Sequence, residues 1–180
     1  MNSASTLEFA IVGLLRQKPQ SGYDLRKTFT DTAMRHYSDS PGSIYPAVRR
    51  LQARGWIEAE PKDRRGREVF HLVPAGVSAL TEWLAQDLTR EDVVLRVPEL
   101  MLRFAFMDGN APRSMAISFL EQFEREFSVY VAELCARFER DSHLKPVHTG
   151  LLAFESGIEA MKAQLSWATR ARARLAEESR

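Results

Sequence analysis

Ser40-Pro41-Gly42-Ser43-Ile44-Tyr45-Pro46-Ala47-Val48-Arg49-Arg50-Leu51, running on into Gln52-Ala53-Arg54-Gly55-Trp56-Ile57, is the stretch on which the fold turns. It reads as a short helix, a glycine stop and the start of a strand. Ser40 is a good N-cap, and Pro41 suits the first helical turn, where a missing N–H costs nothing. Ile44, Val48 and Leu51 recur at helical spacing and define a buried face. Gly55 stands where a left-handed C-cap belongs. Ser43, Tyr45, Arg49 and Arg50 are left on the other face, hydroxyls and guanidinium groups with little to do in a core. The register of the first turn stays open. Pro46 costs a hydrogen bond if the helix starts at Pro41, whereas Ser43 as N-cap would put Pro46 in the first turn.

A hairpin follows. Ile57-Glu58-Ala59-Glu60 is one strand, and Arg67-Glu68-Val69-Phe70-His71-Leu72 alternates well enough to be its partner. Between them, Lys62, Arg64 and Arg65, with Arg67 just beyond, face a single Asp63. A charged tip of this kind is often only a solvated turn. Beside the exposed Ser/Tyr/Arg helix it makes one device, a helix for the major groove and a basic wing for phosphates or the minor groove.

The flanking segments complete the pattern. Ser5-Thr6-Leu7-Glu8 is a capping box, after which Leu7, Ile11, Leu14 and Leu15 share a face and Gln17-Lys18-Pro19 ends the helix. Ser21 is placed to cap a second helix with Leu25 and Phe29 inward, ending somewhere between Asp31 and Tyr37. Pro74-Ala75-Gly76 opens a fourth, with Val77, Leu80 and Leu84 in the core and Trp83 beside them. Helix, helix, helix, hairpin, helix over about 90 residues is the winged helix-turn-helix order.

The second half differs in kind, with no strand and no Gly-rich loop. Val93 to Met107 reads as a helix interrupted by Pro98. Asn110-Ala111-Pro112 starts a long one reaching about Arg140, with Phe119, Phe123, Phe127, Tyr130, Leu134 and Phe138 along one stripe. After a break at Lys145-Pro146, Leu151, Phe154, Ile158, Met161, Leu165 and Ala168 form a heptad seam, interrupted by Arg172 before Leu175. Two long helices with apolar seams and little else to cover them point to burial against a second chain. The expected fold is therefore mainly α (α+β): a winged helix-turn-helix domain over residues 1–92 and an all-helical dimerisation domain over 93–180.

Composition narrows the function. The chain has 180 residues, 44% of them hydrophobic, ample for folded cores. Its single cysteine, Cys135, excludes an internal disulfide framework and a Cys-rich zinc site, and reads as a small apolar helix residue. No apolar run reaches the roughly 18–20 residues of a membrane span and no secretory leader opens the chain, so the cytoplasm is the expected location and no membrane partner is expected. The net charge is only +1, but from Arg49 to Arg67 seven cations stand against three anions. Such a patch suffices for phosphate attraction if two copies act together. His36, His71, His143 and His148 are scattered without ligand spacing, so neither metal nor cofactor is expected. No nucleophile–base pair and no phosphate-binding glycine loop is present, which argues against an enzyme. The remaining rival is a winged helix serving protein interaction without DNA binding; it should lack the exposed arginine face and the basic wing.

Taken together, Ser21-Gly22-Tyr23-Asp24-Leu25, Gly42 to Leu51, Gly55-Trp56-Ile57, Arg64-Arg65-Gly66-Arg67 and Pro74-Ala75-Gly76 resemble the PadR family of bacterial transcriptional regulators, over nearly the full chain. The resemblance implies a dimeric repressor whose two winged domains read a palindromic operator, built on the helical C-terminal domain. It also implies release by a small aromatic or amphipathic effector. Two departures are visible. Val73 stands where the family commonly has a capping Thr, and Arg67-Glu68-Val69-Phe70 replaces the usual Arg-Lys-Tyr-Tyr of the wing's return strand.

The site residues follow. Ser21, Tyr23, Ser43, Tyr45, Pro46, Arg49, Arg50, Lys62, Arg64, Arg65 and Arg67 are expected on double-stranded DNA. Phe119, Phe123, Phe127, Tyr130, Leu134, Leu151, Phe154, Ile158, Met161 and Leu165 are expected in the dimer seam. Trp83 and Trp167 are candidates to line an effector pocket, with simple helix packing as their other reading.

Overall fold

The computed structural model describes residues 4–32, 34, 40–61, 66–144 and 147–177. They fall into two compact units divided between Ala85 and Gln86, rather than at residue 92. The reason is local. Leu88 is buried and donates its N–H to Gln122 Oε1 at 3.0 Å, which ties residues 86–92 to the helical unit.

In the first unit α1 (Thr6–Gln17), α2 (Gly22–Asp31), α3 (Pro41–Ala53) and α4 (Pro74–Leu84) surround a three-stranded antiparallel sheet, in the order β1 (Gln20–Ser21), β3 (Val69–Leu72), β2 (Ile57–Ala59). The β2–β3 hairpin pairs Ile57 with Leu72, Glu58 with His71 and Ala59 with Phe70. The short β1 was not visible in the sequence; it adds Gln20 opposite Phe70 and Ser21 opposite Val69. Ile11, Leu25, Phe29, Ile44, Leu51, Ile57, Leu80 and Leu84 form the core. Phe9 stacks on Trp83 with ring centroids 4.7 Å apart, and also meets Trp56 at 5.8 Å.

The capping expectations hold in detail. Both halves of the Ser5/Glu8 box on α1 and of the Ser21/Asp24 box on α2 are formed. Ser40 caps α3, its Oγ accepting from the Gly42 N–H at 3.1 Å, which resolves the register and leaves Pro46 inside the helix. Gly55 follows with φ +66°. Val73 precedes α4 without a side-chain cap.

The second unit contains α5 (Arg90–Leu95), α6 (Val97–Ala105), α7 (Arg113–Leu144) and α8 (Thr149–Glu177). Arg96 is the break expected near Pro98, and Pro98 sits in the first turn of α6. The unit is dominated by the packing of α7 along α8, with α5 laid on α7. Phe119, Phe123, Phe127, Leu151 and Ile158, expected in the dimer seam, are buried within this single chain and leave little area for a second one. The pairing of α7 with α8, helped by α5 and α6, covers the very stripes that length and periodicity alone left wet. Arg172, which interrupts the α8 seam, pairs with Glu124 of α7 at 2.7 Å.

Candidate nucleic-acid interface

On α3 the two faces separate as the spacing requires. Ile44, Ala47, Val48 and Leu51 are buried, whereas Ser43, Tyr45, Pro46, Arg49 and Arg50 are exposed. Tyr45 is 41% exposed, and its ring lies over the first residue of α2: a Cβ at Gly22 would sit 2.6 Å from Tyr45 Cε1. The absent side chain at Gly22 is what lets the two helices bring Tyr45 this close. Tyr45 thus combines packing with an accessible edge.

Arg50 has a partner that its position in the sequence did not reveal. Its Nε donates to Oε1 of Glu8, a carboxylate on α1 that is 2% exposed. Glu8 Oε2 accepts the Ser5 N–H at 3.1 Å and lies 3.8 Å from Arg54 Nε. Arg54 in turn lies over the Trp56 ring at 5.3 Å. A capping box at one end of α1, Arg50 of α3 and Arg54 at the α3 C-cap therefore meet on one buried carboxylate, whose charge is compensated on both oxygens.

At the start of α2, Tyr23 is 60% exposed, with the Arg26 guanidinium 5.9 Å from its ring centroid. Ser21 is a different matter and corrects an expectation. It is buried; its Oγ donates to Asp24 Oδ2 at 2.6 Å and accepts the Asp24 N–H at 3.2 Å, while its own N–H donates to Asp24 Oδ2. Its hydroxyl and amide are consumed by the cap and are not presented outward. The hydrogen bond from the Ser21 hydroxyl holds the Asp24 carboxyl below the usual aspartate range against some desolvation; the Ser21 N–H and the charges of Arg67 and Lys18 add to it. Arg67 is exposed, two residues before β3. Lys62, Arg64 and Arg65 lie outside the described residues. Arg26, which the sequence reading passed over, is three residues after Tyr23 on the same helical face.

The two tryptophans have separate settings. Trp83 stacks on Phe9 in the winged unit. Trp167, in the helical unit, meets Phe104 edge-on at 5.8 Å. Each is engaged in aromatic packing of its own unit. Among the described residues no group of three His, Cys, Asp or Glu is placed to hold a metal ion, and no helix is long and apolar enough to cross a membrane.

Parts of this chain are similar to known proteins. Residues 11–82, from within α1 to within α4, match the transcriptional regulator PadR-like family. The negative transcriptional regulator PadR of Bacillus subtilis is 24% identical over 170 residues, which span 89% of this chain and 92% of that protein. The transcriptional regulator Rv3488 of Mycobacterium tuberculosis is 45% identical over 67 residues, 34% of this chain and 63% of that one. Among solved structures, Bacillus subtilis PadR in complex with operator DNA aligns over 96% of this chain and 99% of its own, at 22% identity and a TM-score of 0.45. The matched segment carries the exposed α3 face, and it is this winged unit that is similar to the PadR-like transcriptional regulators.

Proposed function

We propose that this chain is a PadR-like transcriptional regulator, a homodimeric repressor that lays α3 in the major groove of a palindromic operator. The observation that carries the reading is the division of α3: Ile44, Val48 and Leu51 hold it to the core while Ser43, Tyr45, Pro46 and Arg49 stay exposed. Tyr23, Arg50 and Arg67, with Lys62, Arg64 and Arg65 of the wing tip, serve the phosphates. Base edges are read by the first group and register is set by the second. The name of the Bacillus subtilis relative, a negative regulator, supports repression. The winged unit binds DNA in this reading, the helical unit joins two chains in the cytoplasm, and a small aromatic effector releases the complex, as the family resemblance implies.

Selection from randomised duplexes tests it. Arg49→Ala is expected to relax preference at one symmetric pair of operator positions, a good base contact contributing about 1–3 kcal/mol of discrimination. Arg65→Ala is expected to lower affinity without moving the preferred sequence. Should both variants select the parent consensus with equal stringency, α3 is not the reading helix.

A further inference from the structure

We infer that Glu8 is a positioning residue for DNA binding: it grips Arg50 by the Nε edge so that the terminal nitrogens are presented, pre-oriented, to a backbone phosphate. The inference deepens the proposed function and rests on its placement of α3 against DNA. Three observations combine. Arg50 Nε donates to Glu8 Oε1. The Arg50 side chain is nonetheless 52% exposed, while that of Glu8 is 3% exposed. Among the described residues, the terminal nitrogens of Arg50 have no protein partner.

Guanidinium geometry gives this a direction. An arginine anchored through Nε keeps two N–H-bearing nitrogens at the far side of a rigid plane, the edge that matches phosphate oxygens. Holding that plane in advance removes side-chain entropy that would otherwise be lost on binding. The carboxylate is itself immobile, because the Ser5 N–H and the Arg54 guanidinium occupy its other oxygen. Glu8 touches no DNA in this arrangement and acts only through Arg50.

The sign of the effect separates this from simple electrostatics. Glu8→Gln removes a negative charge from the DNA-facing unit, so long-range attraction alone predicts tighter binding to a polyanion. Positioning predicts several-fold weaker binding. Glutamine still completes the capping box, which protects the fold. The experiment measures affinity for an operator duplex, and its salt dependence, with the full-length chain and its Glu8→Gln, Arg50→Ala, Arg50→Lys and doubly substituted Glu8→Gln/Arg50→Ala forms. Thermal melts without DNA report folding.

Arg50→Ala is expected to flatten the log K against log salt slope by about 0.9 per protomer. Glu8→Gln is expected to weaken binding in the parent but to have no further effect in the Arg50→Ala background. Arg50→Lys keeps the charge but has no Nε edge, so it is expected to lose nearly as much affinity as alanine. The inference is overturned if Glu8→Gln binds as well as the parent or better. It is also overturned if its effect persists without Arg50, or if Arg50→Lys retains parental affinity; this last arm decides the matter even where Glu8→Gln fails to fold. A parent chain that binds no duplex overturns the DNA-binding reading itself, and this inference with it, so the two failures look different.

Discussion

At position 76 an added Cβ would lie 2.2 Å from the Trp56 carbonyl oxygen and 3.0 Å from Leu72 Cδ2. The first turn of α4 is pressed against the end of the α3–β2 connection, where the Val73 N–H also donates to Trp56 O at 3.2 Å. The obstacle is backbone and cannot rotate away. Gly76→Ala is therefore expected to cost about 1–3 kcal/mol, as overpacking does, and chemical denaturation of the folded chain measures it. A change within about 0.5 kcal/mol would mean that α4 shifts freely. Gly22 makes a contrast. Its obstacle is the Tyr45 ring, which can swing outward, so Gly22→Ala should change stability little but rearrange the exposed face of α3. Weaker operator binding by a stably folded Gly22→Ala variant is the expected result. None of these close approaches is readable from composition or spacing, because each depends on which element lies opposite.

Elements were legible to the extent that their signals are local. The Ser5/Glu8 and Ser21/Asp24 boxes span three residues, and both formed. Strand β1 was not legible, because Gln20-Ser21 has no alternation and is a strand only through its pairing with β3. Buried Arg103, 5% exposed, was equally hidden: its guanidinium lies 4.9 Å from the Phe119 ring centroid and donates to the Gln86 carbonyl at 2.6 Å. Burial pushes it below the ordinary arginine range, and Asp92 and Asp87 offset part of that. The caps also make a pH prediction. Both Asp24 and Asp92 are held below the usual aspartate range. For Asp24 the Ser21 hydroxyl leads; for Asp92 burial pushes upward but is outweighed by the Thr89 hydroxyl and N–H and by Arg96 and Arg103. A depressed carboxyl stabilises the fold fully above its unfolded pKa, about 3.9, and that stabilisation is lost as pH falls toward the folded value. Asp24→Asn should melt below the parent at pH 6, and the gap should narrow steadily as pH falls below about 3.9. A gap that does not change with pH would show that the charge on Asp24 contributes nothing.

For the whole molecule, the open quantity is what a second chain would cover. Periodicity could not decide it, since a stripe buried by the next helix of the same chain looks identical to one buried by a partner. Phe119, Phe123, Phe127, Leu151 and Ile158 are spoken for inside the protomer. Tyr130, Leu134, Phe154, Met161 and Leu165 of the expected seam remain partly accessible, and Val129 and Leu152 are exposed nearby in the sequence. A stable dimer needs about 1,200 Å² or more of buried surface, and burial of one large apolar side chain contributes about 1.5–3 kcal/mol when complete. Several half-covered residues therefore suffice only if they act together. Sedimentation at low micromolar concentration is expected to find a dimer. Leu134→Asp or Met161→Asp should yield folded monomers, whereas Phe123→Asp, a charge forced into the interior, should unfold the helical unit. A parent that sediments as a soluble monomer would end the dimer proposal. It would also leave each winged unit to bind half an operator alone, with about half the salt slope of the pair.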